Sequence, residues 1–137
     1  MARVDRVVDG DTAKVRVDGR SEYVRYIGID TPESVKEDTP VECFGAEASR
    51  FNGQLLARSA QVRLVFDRER RDQYGRLLAY VYSGSALLQA ELLREGYATT
   101  LEVPPNTSKA AQFARLEAGA RESGRGGWSA CGSDFRR

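Results

Sequence analysis

Three carboxylates and two arginines stand at turns beside apolar, strand-like segments of the chain. Asp11 follows the first Asp-Gly dipeptide, and Asp30 and Glu33 lie in an Asp-Thr-Pro-Glu turn after an apolar segment that Arg25 precedes. Arg76 closes a Tyr-Gly-Arg turn. Strand ends can hold charged groups rigidly and leave them open to solvent. Taken alone, the Asp-Thr-Pro-Glu turn equally fits a plain strand cap, because Asp, Thr and Pro favour turns.

If the three carboxylates converge, they need a counter-charge. Two carboxylates ~5 Å apart repel by roughly 3 kcal/mol at an effective dielectric of 20. The chain has no histidine and only two cysteines, which excludes histidine as a base, nucleophile or metal ligand. A hard, oxygen-seeking cation, Ca²⁺ or Mg²⁺, is therefore the expected partner. Carboxylates, a hard cation and guanidinium groups are the components of metal-assisted phosphodiester hydrolysis.

The pattern of apolar residues predicts the elements that would position these groups. Residues 4–29 alternate as a β-meander, and two further strands are expected near 62–66 and 77–82. Helical periodicity indicates helices near 45–59, 87–95 and 108–123. Five short strands with a helix between the third and fourth predict an α+β, mainly β fold. The architecture that we expect is a five-stranded Greek-key barrel of the OB type with three helices. The pattern also fits a generic α+β sandwich.

Strand parity raises a difficulty for the predicted site. Asp11 shares parity with Ala13 and Val15, so its side chain should lean towards the barrel interior. Arg25 and Asp30 have opposite parity and would lie on opposite faces of an ideal strand. A twist or bulge at Gly28 would be needed to bring them together.

Composition limits the remaining possibilities. A chain of 137 residues predicts one domain, 1–137, with a folded body at about 4–128, a mobile loop at 34–43 and a frayed tail at 133–137. No apolar run approaches the ~18 residues that span a bilayer, so no membrane partner is expected. The net charge is only +1, and all but three of the 21 cationic side chains are arginine. Arginine suits bidentate phosphate contacts, so local clusters should hold any polyanion.

Several motifs in this order resemble the staphylococcal nuclease (thermonuclease) family. The likeness runs from about residue 4 to 128 and rests on these segments: Val-Asp-Gly-Asp-Thr at 8–12, Val-Arg at 24–25, Ile-Asp-Thr-Pro-Glu at 29–33, Phe-Gly-Ala-Glu-Ala at 44–48, Asp-Gln-Tyr-Gly-Arg-Leu-Leu-Ala-Tyr at 72–80, Leu-Arg-Glu-Gly-Tyr-Ala at 93–98 and Trp128. The resemblance implies an OB barrel with three helices.

The resemblance also implies a function. It is a calcium-dependent, sugar-nonspecific endonuclease that cleaves DNA and RNA to 3′-phosphate and 5′-hydroxyl ends, acting as a monomer and preferring single-stranded or locally frayed substrate. By position, the implied calcium ligands are the carboxylates of Asp11 and Asp30 and the backbone carbonyl of Thr31. Glu33 matches the general base. Arg25, Arg76 and Tyr74 match phosphate-binding residues.

The chain departs from the family pattern near the substrate. Gln73 stands where the type member has a lysine, and Leu101, Glu102 and Val103 replace its two tyrosines. Base stacking on aromatic rings contributes ~1–3 kcal/mol per base, so base preference does not carry over. We expect Gln73 to face substrate beside Tyr74, with Arg70 and Arg71 as candidates to restore the lost positive charge. Two other interpretations stay open: an OB module that binds nucleic acid or protein without cutting, and a calcium-stabilised structural domain.

Cys43 and Cys131 are the only cysteines and flank weakly anchored segments. A disulfide between them would close a long loop and pin the tail beside the loop at 34–43. The alternative is two free thiols in a reducing cytosol, which the absence of a visible signal peptide favours. We expect the disulfide and a secreted protein, of which this chain is the mature form.

Overall fold

The computed structural model describes residues 1–34, 41–58 and 60–136. The chain begins as an antiparallel meander of β1 (Ala2–Asp9), β2 (Thr12–Val17) and β3 (Arg20–Tyr26). The turn between β2 and β3 is Asp18-Gly19, with φ of 51° and 79°. Positive φ at both central residues is what a type I′ hairpin turn requires.

Two later strands close the meander into a barrel. After β4 (Ile29–Asp30) and α1 (Gly45–Leu56), β5 (Gln61–Val65) pairs antiparallel with β1, and β6 (Leu77–Ser83) pairs antiparallel with β5. β6 then runs parallel to β3, from Val24 opposite Leu77 to Tyr26 opposite Ala79. Parallel pairing between the third and last barrel strands closes the five strands into a barrel. The predicted five-stranded OB barrel is confirmed.

The rest of the chain packs against one end of the barrel. It comprises β7 (Ala86–Leu87), α2 (Leu88–Arg94), β8 (Thr99–Thr100), α3 (Ala110–Ser123) and the one-turn α4 (Gly127–Ala130). The three longer helices match the predicted three. The short β8 pairs with β4, so that Thr99 lies opposite Asp30. No helix among the described residues has the length and apolarity needed to cross a membrane.

The core lies where barrel strands meet α2 and α3. Val15, Val24, Ile29, Leu88 and Phe113 are each at most 1% exposed. Burying a side chain of this size contributes roughly 1.5–3 kcal/mol. The apolar packing makes the barrel a rigid support for the turn that follows β4.

The C-terminal segment differs from the predicted frayed tail. Residues Gly132–Arg136 form a 3₁₀ helix, and Phe135 is only 4% exposed. Its ring meets Trp128 edge-on at 4.9 Å, and a disulfide joins the preceding Cys131 to Cys43. The tail prediction was wrong because it overlooked this single buried aromatic residue. Arg137, and residues 35–40 of the predicted mobile loop, lie outside the described residues.

Candidate active site

The turn between β1 and β2 holds Asp11 inside the barrel end, as its parity predicted. Asp11 is 6% exposed. Its Oδ2 accepts a hydrogen bond from the Thr31 backbone N–H at 3.0 Å, and its Oδ1 accepts one from Thr12 Oγ1 at 3.0 Å. The carboxylate therefore connects the first hairpin to the end of β4.

Arg25 joins the two metal-ligand candidates. Its Nη2 lies 3.4 Å from Asp11 Oδ2 and 3.4 Å from Asp30 Oδ1. Its Nη1 donates to the carbonyl oxygens of Tyr26 at 3.0 Å and Ile29 at 2.9 Å. Because the guanidinium binds both carboxylates and both carbonyls, it is held at the bend between β3 and β4.

The bend at Gly28 resolves the parity difficulty. Gly28 has φ 86°, a conformation that disfavours side chains, and a Cβ there would lie 2.8 Å from the Phe113 ring. The chain leaves β3 after Tyr26 and resumes as β4 at Ile29, which turns Asp30 towards Arg25. The structure thus has the break in pleating that the sequence required.

The carboxylates at this end of the barrel carry more negative charge than Arg25 neutralises. Burial would raise the pKa of Asp11, but the Arg25 guanidinium and several hydrogen bonds hold it below its usual range. Burial and the charge of Asp11 raise the pKa of Asp30. The same two causes raise the pKa of Asp9 to about 7. The cluster would be stabilised by a further cation.

The donor set fits a hard cation. Asp11 and Asp30 supply carboxylate oxygens and Thr31 a backbone carbonyl, and Ca²⁺ and Mg²⁺ prefer such oxygen ligands. Across residues 1–34, 41–58 and 60–136, no group of three or more acidic, histidine or cysteine side chains is arranged to hold a metal ion. Ca²⁺ takes six to eight oxygen ligands, so water or substrate oxygens would have to complete the shell.

Glu33 is held through its backbone by a residue that sequence reasoning missed. Its N–H donates to Glu42 Oε1 at 2.8 Å, and the Glu42 N–H donates to the Glu33 carbonyl at 2.9 Å. Gly45 allows the close approach, because a Cβ there would lie 2.3 Å from the Glu33 carbonyl oxygen. These contacts set the backbone of Glu33 and leave its carboxylate available.

A cleft of about 420 Å³ brings the two predicted phosphate-binding arginines together, since Arg25, Gln73 and Arg76 all line it. Arg76 Nε donates to Asp72 Oδ2 at 2.7 Å. Asp72 Oδ1 accepts from the backbone N–H groups of Tyr74 and Arg76, both at 2.9 Å. Asp72 therefore fixes both the turn and the direction of the Arg76 side chain.

The outer parts of the cleft region are open to solvent. Tyr74 is 76% exposed, and the Arg76 guanidinium lies 5.7 Å from its ring centroid. Leu101 and Val103 line the cleft and are 42% and 57% exposed. The cleft thus has two aliphatic side chains where the family's type member has tyrosines.

Arg70 and Arg71 lie outside the cleft and contact other groups of the protein. Arg71 forms a two-pronged ion pair with Glu22, at 3.0 and 2.9 Å, and donates to the Gly75 carbonyl at 2.7 Å. The Arg70 guanidinium stacks over the Phe66 ring at 4.2 Å. Neither lines the cleft. Nearby groups on the described surface engage both side chains, so their contact with substrate stays a prediction.

Three other residues near the site also escaped the sequence analysis. Asp9 belongs to the same carboxylate cluster as Asp11 and Asp30, although its Asp-Gly dipeptide indicated only a turn. Asp72 has a local signal, since an Asp three residues before a Gly favours a tight turn. Asn52 is fully buried; it donates to the Asp9 carbonyl at 2.8 Å and accepts from Tyr26 Oη at 2.7 Å. No local pattern predicts that contact across 43 residues.

Fold and site together define a class: an OB-fold barrel in which Arg25 contacts Asp11 and Asp30 and also lines a cleft with Arg76. A family profile described as "Staphylococcal nuclease homologue" matches residues 23–130. The chain belongs to the staphylococcal nuclease family, and the resemblance stated from its motifs is confirmed.

Individual relatives agree with the profile. The chain is 48% identical over 103 residues to a thermonuclease of Staphylococcus intermedius. The aligned residues make up 75% of this chain and 61% of that protein. It is 39% identical over 127 residues to a thermonuclease of Staphylococcus hyicus, covering 93% and 75%. It is 43% identical over 131 residues to endonuclease YncB of Bacillus subtilis, covering 94% and 62%. The chain thus spans less than two thirds of two of these relatives.

Proposed function

We propose that this protein is a calcium-dependent, sugar-nonspecific endonuclease that hydrolyses DNA and RNA to 3′-phosphate and 5′-hydroxyl ends. The observation that carries the proposal is the position of Arg25, which lines the cleft with Arg76 and also contacts Asp11 and Asp30. A phosphate in the cleft would lie between the two guanidinium groups and beside the carboxylates. Relatives named as thermonucleases and an endonuclease support the reaction class.

The chain's own residues would divide the chemistry as follows. Arg25 and Arg76 bind the non-bridging phosphate oxygens and stabilise the charge that develops on them. Glu33 takes one proton from the attacking water as its oxygen bonds to phosphorus. The bond from phosphorus to the 5′ oxygen breaks, and that oxygen takes up a proton to become the hydroxyl. The phosphate stays on the 3′ side.

Calcium is the cofactor that we assign to this site. Asp11, Asp30 and the Thr31 carbonyl would hold it, and it would supply charge neutralisation for the phosphate and for the attacking water. The support is the all-oxygen donor set together with the raised pKa values of Asp9 and Asp30, whose causes are burial and neighbouring negative charge.

Substrate scope follows from the walls of the cleft. Leu101 and Val103 present aliphatic surface with no donor or acceptor on their side chains that could distinguish one base edge from another. We infer weak base preference, activity on both DNA and RNA, and a preference for single-stranded or frayed substrate that can enter the cleft. We further propose a monomer that works in an oxidising, extracellular environment, which the Cys43–Cys131 disulfide supports.

Digestion of supercoiled plasmid and of structured RNA tests the proposal. Protein with Ca²⁺ should degrade both, excess chelator should stop both, and the products should be substrates for a 3′-phosphatase. Matched reactions with Glu33→Gln, which keeps the size of the side chain, should lose turnover while retaining binding of a short oligonucleotide. Oligonucleotide binding without cleavage by the unaltered protein would instead establish the binding module.

A further inference from the structure

The outer face of the first hairpin sets like charges directly opposite each other. Arg3 on β1 lies opposite Arg16 on β2, and Arg6 lies opposite Lys14. Lys14 and Arg16 are two residues apart, so they share the face turned away from buried Ala13 and Val15. A register shift between Val4 and Arg6 brings both β1 arginines to that face. We call these four cations the basic track.

This arrangement carries a stability penalty that the described residues do not relieve. Like charges directly opposite across two strands are destabilising. Within residues 1–34, 41–58 and 60–136, no carboxylate lies within ion-pair distance of any of the four cations, exposed Asp5 included. Among the described residues, Arg16 donates to the Gly19 carbonyl at 3.4 Å, and Lys14 lies 5.5 Å from the Tyr23 ring centroid.

Ion pairs hold some arginines elsewhere on the described surface but not all of them. Arg71, Arg94 and Arg125 each form an ion pair with a glutamate, and Arg76 with Asp72. The net charge of the whole chain is only +1. Within residues 1–34, 41–58 and 60–136, exposed Arg50 and Arg115 also form no ion pair. The basic track is distinguished by its geometry, because its four cations lie directly opposite one another in two pairs on neighbouring strands.

The basic track is continuous with the cleft. On β3, Arg25 lies opposite Thr12 and Tyr23 lies opposite Lys14, so Arg25 and Tyr23 share the outer face. From Arg25, the path crosses Tyr23 and Lys14 to Arg6 and Arg3, in steps of about 5 Å between neighbouring strands. Tyr23 is 42% exposed, which leaves ring surface available to an unstacked base.

We propose that the basic track binds the sugar-phosphate backbone of a polynucleotide that extends out of the cleft. The inference rests on the proposed nuclease function and adds to it a binding surface outside the catalytic residues. Arginine suits phosphate because its planar fork donates two parallel hydrogen bonds, and an exposed tyrosine beside cations is a stacking platform for single strands. The basic track would hold a long substrate without acting on the phosphodiester that is cleaved.

The test compares Arg3→Gln/Arg16→Gln with a control, Arg50→Gln/Arg115→Gln, which removes the same charge from exposed positions on α1 and α3. Binding of a 20-nucleotide single strand is followed by fluorescence anisotropy in chelator, where the proposed hydrolysis stops. Removing two phosphate contacts should lower the slope of log Kd against log salt by about 1.4 and weaken binding about tenfold at low salt. The control should change neither. Equal changes in both variants would overturn the proposal.

Kinetics separate this proposal from the proposed function. On a minimal substrate with one phosphodiester, the track variant should keep kcat/KM within about twofold. On long single-stranded DNA its KM should rise about tenfold with kcat unchanged. If the unaltered protein cleaves neither substrate, the nuclease function is contradicted. The salt dependence of binding measured by anisotropy would still test the basic track in that case. Equal loss on both substrates would contradict the basic track alone.

Two further measurements test whether the variants fold and whether the basic track binds a different polyanion. Removing a repulsive pair should leave Tm unchanged or higher; if Arg3→Gln/Arg16→Gln fails to fold, Arg6→Gln/Lys14→Gln takes its place with the same expectations. Phosphatidylserine vesicles are the competing polyanion. If they bind the unaltered protein more tightly than the oligonucleotide does, and the track substitutions remove that binding, the surface serves membranes and the proposal fails.

Discussion

Arg76 and Asp72 form a charged pair in which the guanidinium donates through Nε, at 2.7 Å, and not through its terminal nitrogens. That geometry leaves the two terminal nitrogens available to a phosphate in the cleft. Burial would raise the pKa of Asp72, but hydrogen bonds from Arg76 and from the Tyr74 N–H hold it below its usual range. Asp72 is thus anionic at neutral pH and acts as a positioning residue for Arg76.

Replacing Asp72 by Asn should reduce kcat about tenfold, because the neutral amide no longer orients the guanidinium. Loss of one charged hydrogen bond corresponds to roughly 1.5–3 kcal/mol. The matched control is Glu22→Gln, which breaks the ion pair of Arg71 in the same loop without touching the cleft. Steady-state kinetics and a melting curve are measured for each. Similar kinetic losses in both variants would remove the special role of Asp72.

Arg76→Ala and Glu33→Ala should each lose about 10²–10³-fold in turnover while staying folded, because groups aimed at developing charge contribute a few kcal/mol each to transition-state stabilisation. Arg70→Ala provides the contrast, since Arg70 stacks on Phe66 outside the cleft. It should change turnover by less than threefold. Near-normal turnover in the Arg76 or the Glu33 variant would contradict the catalytic role assigned to that residue.

The barrel and the grouping of Arg25, Arg76 and Asp11 were expected from the resemblance of the motifs, because the local pattern alone also fitted a generic α+β sandwich. Strand alternation and Asp-Gly turns predicted the meander, and Gly28 was the position where pleating had to break. Glu42, Asn52 and the Glu22–Arg71 pair were not predictable, because each contact joins residues distant in the chain and depends on side-chain reach. The same limit explains why the sequence did not predict that Phe135 docks the C-terminal segment.

The disulfide between Cys43 and Cys131 should contribute strongly to stability, since it joins residues 88 apart. The chain-entropy model gives an upper value of about 4–5 kcal/mol for a loop of that length. Cys43→Ser/Cys131→Ser should therefore melt at least ~10 °C below the unaltered protein. Thiol titration of unreduced, denatured protein should detect no free thiol. Two reactive thiols per chain would contradict the bond and the proposed extracellular setting.

Asp67 should confer stability that is lost in acid. Its Oδ2 accepts bonds from Tyr80 Oη at 2.7 Å and from Ser108 Oγ at 2.8 Å. Burial would raise the pKa of Asp67, but these bonds hold it below its usual range. The stabilisation that ionised Asp67 gives is therefore fully present above its pKa in the unfolded chain, about 3.9. It disappears as the pH falls through the lower pKa that Asp67 has in the folded protein.

The corresponding variant is Asp67→Asn. It should lower the free energy of unfolding by about 1 kcal/mol at pH 7, a value reduced for solvent screening, and the difference should vanish below about pH 3. Urea titrations from pH 2.5 to 7 measure it, with Asp5→Asn as an exposed control. A difference that stays constant across this range would show that Asp67 does not act through its charge.

The central claim is a cation-dependent nuclease site built from Asp11, Asp30, Thr31, Glu33, Arg25 and Arg76. The most direct measurement is the initial rate on single-stranded DNA across a series of Ca²⁺, Mg²⁺ and chelator, with Asp30→Ala in parallel. We expect cleavage with Ca²⁺, little with Mg²⁺, none in chelator, and a higher Ca²⁺ requirement for Asp30→Ala. Cleavage that persists in excess chelator, or that needs the same Ca²⁺ concentration with and without Asp30, would contradict the account.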